Sequence, residues 1–130
     1  MLLPWVQKKL LTDPHRLGRW GQNRAEQYLR RKGLRTIARN YAFSGGEVDL
    51  VMAGKDGTMV FTEVKTRRNE DFYPAIAAVN QKKRRKITRT AKRFLKQFQV
   101  SDRPLRFDII TVVLGEKGKP DIQHYPNAFV

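Results

Sequence analysis

Two strand-length segments joined by a short turn constrain the fold of this chain more than any other feature. Apolar and charged residues alternate over residues 47–52, and residues 59–65 are rich in apolar and β-branched side chains. Both patterns predict β-strands. Between them, Lys55-Asp56-Gly57 fits a three-residue loop with Gly57 in the left-handed conformation. We therefore expect an antiparallel hairpin in which Gly54 faces Thr58.

The expected register of this hairpin brings four charged residues together. It places Asp49 opposite Glu63. Side chains two apart on a strand share a face, so Glu47 projects with Asp49, and Lys65 projects with Glu63. Carboxylates this close stay ionised only beside a compensating cation, which is either Lys65 or a metal ion. A metal site and a structural salt bridge are both open interpretations of the cluster.

The remaining patterns predict an α/β protein. Residues 17–29 have helical periodicity and are expected to end near Gly33, and a second apolar stripe predicts a helix over residues 80–98. Strands are expected at residues 34–38, 105–114 and 121–125, with a turn over residues 40–46. The order helix, strand, hairpin, helix, strand, strand favours a central mixed β-sheet flanked by helices.

The second helix carries a strongly cationic face. No acidic residue occurs between Asp71 and Asp102, whereas solvated helices usually mix the two signs of charge. This composition indicates a surface that faces phosphates, although a merely solvated face is the alternative. The candidate nucleic-acid-binding residues on this helix are Lys83, Arg85, Arg89, Lys92 and Lys96. Arg67, at the end of the hairpin, is a further candidate.

Composition restricts the class of protein. A chain of 130 residues is long enough for one domain, and 27 lysines and arginines against 12 acidic residues give a formal charge of +15, which favours nucleic acid as a partner. Apolar runs reach only strand length, so no membrane contact is expected. With no cysteine there is no thiolate zinc site, and since no export signal is evident we expect a cytoplasmic protein.

The charged cluster suits metal-assisted hydrolysis of a phosphodiester. Oxygen ligands suit Mg²⁺, which polarises a phosphoryl oxygen and lowers the pKa of a bound water. Asp49 and Glu63 are ligands of this kind, and Lys65 could position the water or stabilise charge on the phosphate. A Glu-x-Lys triplet alone is a weak signal, but Asp49, the hairpin and the basic helix add weight to it.

The sequence resembles the YraN family of bacterial proteins, from about Gly18 to Phe129. The resemblance rests on four segments in the expected order, which are Gly46-Glu47-Val48-Asp49-Leu50-Val51, Val60-Phe61-Thr62-Glu63-Val64-Lys65-Thr66-Arg67, Arg106-Phe107-Asp108 and Asn127-Ala128-Phe129. That family is similar to the archaeal Holliday junction resolvases, in the restriction endonuclease-like, PD-(D/E)xK nuclease superfamily. The resemblance implies a single nuclease-like domain over residues 17–130, behind a loose N-terminal arm over residues 1–16.

The same resemblance implies roles for individual residues. Asp49 and Glu63 match the metal-binding acids, the backbone carbonyl of Val64 is a candidate further ligand, and Lys65 matches the catalytic lysine. The implied cofactor is Mg²⁺ or Mn²⁺, and the implied substrate is DNA, including branched DNA. Because symmetric resolvases act as dimers, the resemblance is compatible with a homodimer.

One departure from the family pattern bears on activity. The first helix of the family reads Gly-x-x-Gly-Glu-x-x-Ala-x-x-Tyr-Leu, and this chain has Gln22 in place of the glutamate. In related resolvases that glutamate joins the metal site, so an amide is expected to weaken metal binding. Glu26, one turn along, is a candidate substitute. The hypotheses are thus a metal-dependent endonuclease, an inactive nucleic-acid-binding module that keeps the nuclease fold, and a basic scaffold that binds an acidic protein partner.

Overall fold

A computed structural model describes residues 4–70, 74–115 and 119–129. In these ranges the chain forms three α-helices, five β-strands and one 3-10 helix. In chain order they are α1 (Pro4–Thr12), α2 (Pro14–Arg31), β1 (Arg35–Phe43), β2 (Gly46–Ala53), β3 (Met59–Arg67), the 3-10 helix (Ala75–Ala78), α3 (Gln81–Gln97), β4 (Leu105–Val113) and β5 (Asp121–Phe129). Within the described ranges, no helix is both long and apolar enough to cross a membrane.

The five strands form one mixed sheet in the order β1-β2-β3-β4-β5. Neighbouring strands are antiparallel except for β3 and β4, which are parallel and therefore need a crossover. Helix α3 lies in that crossover. The predicted α/β class with a central mixed sheet is confirmed, and the architecture is consistent with a restriction endonuclease-like fold.

The predicted hairpin forms with the predicted register. Strands β2 and β3 pair from Ala53 with Met59 to Leu50 with Thr62. The Gly54 amide donates to the Thr58 carbonyl at 2.9 Å, and Gly57 has a φ of +88°, the left-handed conformation that the three-residue loop requires. Continued by one residue, this register sets Asp49 opposite Glu63.

Two apolar layers hold the helices against the sheet. One layer, on the α3 side, contains Val51, Phe61, Ile87, Ala91 and Phe94. The layer on the α2 side contains Ala25, Leu29, Leu50, Met52 and Val60. The period of two along the strands sends successive side chains into different layers, so the central strands are buried on both faces and their apolar runs are nearly continuous.

Local signals set the limits of α2. The Asp13 carboxylate accepts hydrogen bonds from the His15 and Arg16 amides at 3.1 and 3.3 Å, and this caps the helix one residue before Pro14. At the other end Gly33 has a φ of +96°, as expected of a residue that terminates a helix. Helix α2 thus starts slightly before the predicted segment and ends where the sequence indicated.

Part of the segment that was expected to be a loose N-terminal arm is helical. Residues 1–16 include helix α1, and Leu10 from this helix is buried against Leu17 and Leu114. Helix α1 has little amphipathic character in its sequence, and only one of its residues is buried. A single anchoring leucine gives too weak a periodic pattern to predict the helix.

Two strands extend beyond their predicted limits. Strand β1 runs to Phe43, so only Ser44 and Gly45 remain for the turn that was expected over residues 40–46. The polar stretch in β1 includes Asn40 with a φ of 52°, which is a local irregularity within a paired strand. Strand β5 likewise continues past Tyr125 through Pro126 to Phe129, because Pro126 is tolerated in an edge strand.

A buried carboxylate fixes the end of β5. Asp108 is fully buried and forms a two-pronged ion pair with Arg106, with both distances 2.9 Å. Its oxygens also lie 2.7 Å from His124 Nε2 and 2.9 Å from the Asn127 amide, which donates to it. Burial alone would raise the pKa of Asp108, but these hydrogen bonds outweigh burial and lower it. The carboxylate therefore joins the two C-terminal motifs, Arg106-Phe107-Asp108 and Asn127-Ala128-Phe129.

The Asp108→Ala substitution is expected to lower the free energy of unfolding by about 3 kcal/mol, because it leaves Arg106 and the Asn127 amide without their acceptor. Since the pKa of Asp108 is lowered in the folded state, this contribution is present above the pKa of an unfolded aspartate and is lost as the pH falls through the folded value. Urea unfolding at pH 7 and at acid pH measures both effects. Asp121→Ala, at an exposed position on β5, is the matched control, and equal losses in the two variants would contradict this role.

Candidate active site

Strands β2 and β3 separate at the point where the acidic residues lie. Their ladder ends at the pair Leu50 and Thr62. Beyond it, β2 continues its pairing with β1, and β3 continues its pairing with β4. The Asp49 carboxylate accepts a hydrogen bond from the Val64 amide at 2.8 Å. A side chain thus takes the place of a backbone acceptor, and a cleft opens between the two halves of the sheet.

The alternation of side chains along β2 breaks at Asp49. Val48 packs in the α3-side layer and Leu50 packs in the α2-side layer, although residues two apart on a regular strand share a face. Asn40, with its positive φ, lies beside this break on β1. The expected common face of Glu47 and Asp49 relied on unbroken alternation. Glu47 is exposed, but it still borders the same cavities as Asp49 on both sides of the sheet.

Asp49 and Glu63 form a hydrogen-bonded pair of acids in which Glu63 is buried and Asp49 is partly exposed. The pKa of Asp49 is raised to about 8, mainly by burial and then by the hydrogen bond to Glu63 and the negative charge of Glu63. The Val64 amide and the Lys83 ammonium act in the opposite direction. With this pKa, Asp49 is mostly protonated at neutral pH. Glu63 is 3% exposed and forms an ion pair with Lys83, in which Lys83 Nζ lies 2.9 Å from Glu63 Oε2. The pair therefore carries one negative charge rather than two.

Two lysines lie beside the acid pair in different electrostatic states. Burial opposes the charge of Lys83, but its hydrogen bond to Glu63 and the negative charges nearby raise its pKa. The pKa of Lys65 is lowered, first by burial and then by the positive charges of Lys83 and Arg67. Lys65 thus releases its proton more readily than an exposed lysine, as a group that assists proton transfer must.

Gln22 reaches the same site from helix α2. Its amide Nε2 donates to the backbone carbonyl of Asp49 at 3.4 Å. Helix α2 comes close to β3 here, since a β-carbon at Gly21 would overlap the Thr66 side chain. Gln22 therefore borders the same cleft as Asp49, with a neutral amide that contacts the backbone.

Glu26 does not take the place of the missing acid. Its carboxylate is bound by Arg39 at 2.7 to 3.0 Å and by the Thr36 hydroxyl at 2.6 Å, and both of its oxygens are engaged. The hydrogen bond from Arg39 is the main cause that lowers the pKa of Glu26. Glu26 is therefore committed to an ion pair that joins α2 to β1.

Two open clefts meet at Asp49. The larger one, of about 1150 Å³, lies between α1, α2 and the ends of β2 and β3, and it includes Gln22, Val64, Lys65 and Arg67. The smaller one, of about 440 Å³, lies between the β1–β2 turn and the start of α3, and it includes Glu63 and Lys83. Asp49 is thus accessible from both sides of the sheet, with cations along each approach.

Most cations of α3 fall into two groups. An outer row, exposed on the helix surface turned away from the buried stripe, consists of Arg85, Arg89, Lys92 and Lys96. The residues that line the smaller cleft are Lys82, Lys83 and Lys86. Charge alone could not separate these groups in the sequence. The signal that could have done so is the angular distance of each lysine from the apolar stripe.

The donor set is incomplete for a closed metal site. In the part of the chain that the structure describes, no three aspartate, glutamate or histidine side chains come together. Asp49 and Glu63 are nevertheless oxygen donors of the type that Mg²⁺ prefers, and the ion usually keeps several water ligands. The residues therefore fit a divalent cation in ligand type.

The protein has a mixed five-stranded sheet with helices on both sides, and an acid pair lies where β2 and β3 separate. These features define an α/β protein of restriction endonuclease-like architecture. The chain belongs to the uncharacterised protein family UPF0102, whose model matches residues 21–112. This match confirms the resemblance to the YraN family that the motifs indicated. The matched range includes the C-terminal part of α2, all of β1, the hairpin and α3, and most of β4.

Relatives in this family cover most of the chain. A UPF0102 protein of Trichlorobacter lovleyi is 37% identical over 113 residues, which are 87% of this chain and 89% of the relative. Another, of Syntrophomonas wolfei, is 40% identical over 113 residues, which are 87% of this chain and 96% of the relative. Among solved structures, Pyrococcus furiosus SfsA in complex with Ca²⁺ aligns at 15% identity over 86% of this chain and 62% of that one. Its TM-score of 0.31 is too low to support an argument.

The stability of the metal-free protein should fall as the pH rises from about 5 to 8. In this range the folded state holds the Asp49 proton, with a pKa of about 8, which an unfolded aspartate has released. The loss approaches about 1.4 kcal/mol per pH unit where only the folded state is protonated. The Asp49→Asn variant should show a flatter profile in urea unfolding with a chelator present, and Asp121→Asn should not. If the stability of the native chain and of Asp49→Asn depended on pH in the same way, the raised pKa of Asp49 would be contradicted.

Proposed function

We propose that this protein is a metal-dependent endonuclease that acts on DNA. The observation that carries the proposal is the pairing of Asp49 with the buried Glu63 at the junction of two clefts lined with cations. Burying two carboxylates side by side destabilises a fold unless a cation compensates them. Such an arrangement is typical of sites selected for chemistry rather than for stability.

The proposed role of each residue follows from the position of its side chain. Asp49, Glu63 and the Val64 carbonyl would hold Mg²⁺ or Mn²⁺, which supplies polarisation of the phosphoryl oxygen and a water of lowered pKa. Lys65, with its lowered pKa, takes a proton from the attacking water or stabilises charge on the phosphate. Gln22 holds the Asp49 backbone from the α2 side. Lys83 neutralises Glu63 until the substrate is bound.

The proposed substrate follows from charge. The formal charge of +15 attracts a polyanion, and the lysines of the smaller cleft lie within the same site as the acid pair. Phosphate groups in the cleft would compete with Glu63 for Lys83. This competition would free Glu63 as the backbone of the substrate enters.

A second candidate function is DNA binding without cleavage. It is favoured by Gln22, which places an amide where the family has an acid, and by the Lys83–Glu63 ion pair, which occupies one of two carboxylates. Both features lower the negative charge available to a metal ion. This candidate has the same DNA-binding surface as the first one and differs in hydrolysis alone.

Cleavage assays on junction, flap and linear DNA with Mg²⁺ or Mn²⁺ separate the two functions. Asp49→Ala and Lys65→Ala should each lower the cleavage rate at least ~100-fold, because each removes a group required in the transition state. The matched controls are Asp121→Ala and Lys55→Ala, at exposed positions away from the clefts. Mn²⁺ binding by calorimetry should also be lost in Asp49→Ala.

Cleavage that is equal in the native chain and in Asp49→Ala would reject the endonuclease. Salt-dependent DNA binding with no cleavage in any divalent metal would favour the second candidate. Binding of Mn²⁺ to the native chain that persists in Asp49→Ala would place the metal at a different site.

The salt dependence of DNA affinity tests which cations contact phosphates. Removing Lys82 and Lys86 together should lower the slope of log affinity against log salt by roughly 1.5, since each phosphate contact contributes about 0.7 to 0.9. Removing Arg85 and Lys92, which takes away the same charge from the outer row, should change the slope less. Fluorescence anisotropy between low and moderate salt measures both. The reverse ranking would assign the phosphate contacts to the outer row.

A further inference from the structure

We infer that Phe43 and Arg93 form a stacking site for an unpaired base next to the acid pair. The inference rests on the proposed function and narrows it, because it defines the substrate as DNA with a single-stranded segment beside the phosphate that is cut. The site consists of an exposed aromatic ring, a guanidinium on that ring and a small cavity that leads to the acidic residues.

Phe43 is placed where a base could reach it. It is the last residue of β1, directly before the Ser44-Gly45 turn, and 46% of it is exposed. The Arg93 guanidinium lies 4.5 Å from the centre of its ring. Exposed aromatic rings with an adjacent arginine bind bases of single strands through stacking and cation–π contacts.

The cavity next to Phe43 adjoins the smaller cleft of the acid pair. A cavity of about 220 Å³ is bordered by Phe43, Lys86, Arg89 and Arg93. Gly46 and Lys86 also border the cleft that contains Asp49 and Glu63. A strand with its base on Phe43 would therefore have its backbone beside Lys86 and could continue into the cleft of the acid pair.

The turn that carries Phe43 is fixed to α3. Gly46 lies so close to the helix that a β-carbon there would overlap Thr90 Oγ1. On the same strand as Phe43, the Tyr41 hydroxyl donates to Gln97 Oε1 at 2.6 Å, and the Tyr41 ring contacts Phe94 edge-to-face with centroids 5.0 Å apart. A rigid platform of this kind loses little conformational entropy when a base stacks on it.

Stacking on Phe43 requires an unpaired base. In a duplex both faces of an interior base are covered by its neighbours, and exposing one costs unstacking energy. A single strand, a flap or the unpaired region of a branched substrate presents base faces at no such cost. The contact with Phe43 therefore favours these substrates over a continuous duplex, whereas the lysines bind phosphates of either kind.

Fluorescence anisotropy with a chelator present tests the site without any dependence on cleavage. The probes are a labelled oligothymidylate, the same strand with abasic residues in place of the bases, and a blunt duplex of equal length. Phe43→Ala and Phe43→Leu should bind oligothymidylate roughly tenfold more weakly, as expected for the loss of one stacked base. Their duplex binding should stay within about twofold of the native value, and their affinity for the abasic strand should match that of the native chain.

Two further variants keep the test independent of folding. Phe43→Trp should retain the preference for oligothymidylate, and Phe43→Leu preserves apolar packing, so its thermal midpoint should match that of the native chain. Trp5→Ala, which removes another exposed aromatic next to a cation, should bind all three probes normally.

If the native chain binds oligothymidylate and the abasic strand equally, or if Phe43→Ala binds both as the native chain does, the stacking site is wrong while the proposed function stands. If none of the probes binds in a salt-dependent way, the proposed function fails together with the stacking site.

Discussion

The hydrogen bond from the Val64 amide to the Asp49 carboxylate determines how the sheet can host a reactive site. A backbone acceptor at this position would continue the β2–β3 ladder and close the space between the strands. The carboxylate satisfies the same amide while the strands move apart, so the backbone remains bonded and a cleft forms. The two clefts, the approach of Gln22 and the access of cations from α3 all depend on this separation.

The acid pair is balanced by side chains from both neighbouring helices. Helix α3 supplies Lys83, which pairs with Glu63, and α2 supplies the neutral Gln22. A glutamate at position 22 would add a second negative charge beside Glu63 and the protonated Asp49. The amide therefore makes the metal-free site less repulsive. The same change reduces the attraction for a divalent cation, so stability and metal affinity are opposed at this position.

The sequence predicted those structural features that are determined by residues close together along the chain. The Gly57 turn set the hairpin register, and with it the approach of Asp49 to Glu63, because turn length and left-handed conformation are encoded in adjacent residues. The full length of β1 and the burial of Asp108 depend on partners more than 10 positions away along the chain, as Tyr41 and Asn127 show. Helix periodicity found α3, but only the packed sheet distinguishes its cleft-lining lysines from its outer row.

Both edges of the sheet carry features that oppose pairing with another strand. Strand β1 has a register shift between Thr36 and Ala38 and a left-handed residue at Asn40, and β5 contains Pro126 followed by left-handed Asn127. Such irregularities interrupt the row of amides and carbonyls that an incoming strand would need. The chain is thereby protected against edge-to-edge aggregation, and a homodimer would have to associate through helices or loops rather than through a continuous intermolecular sheet.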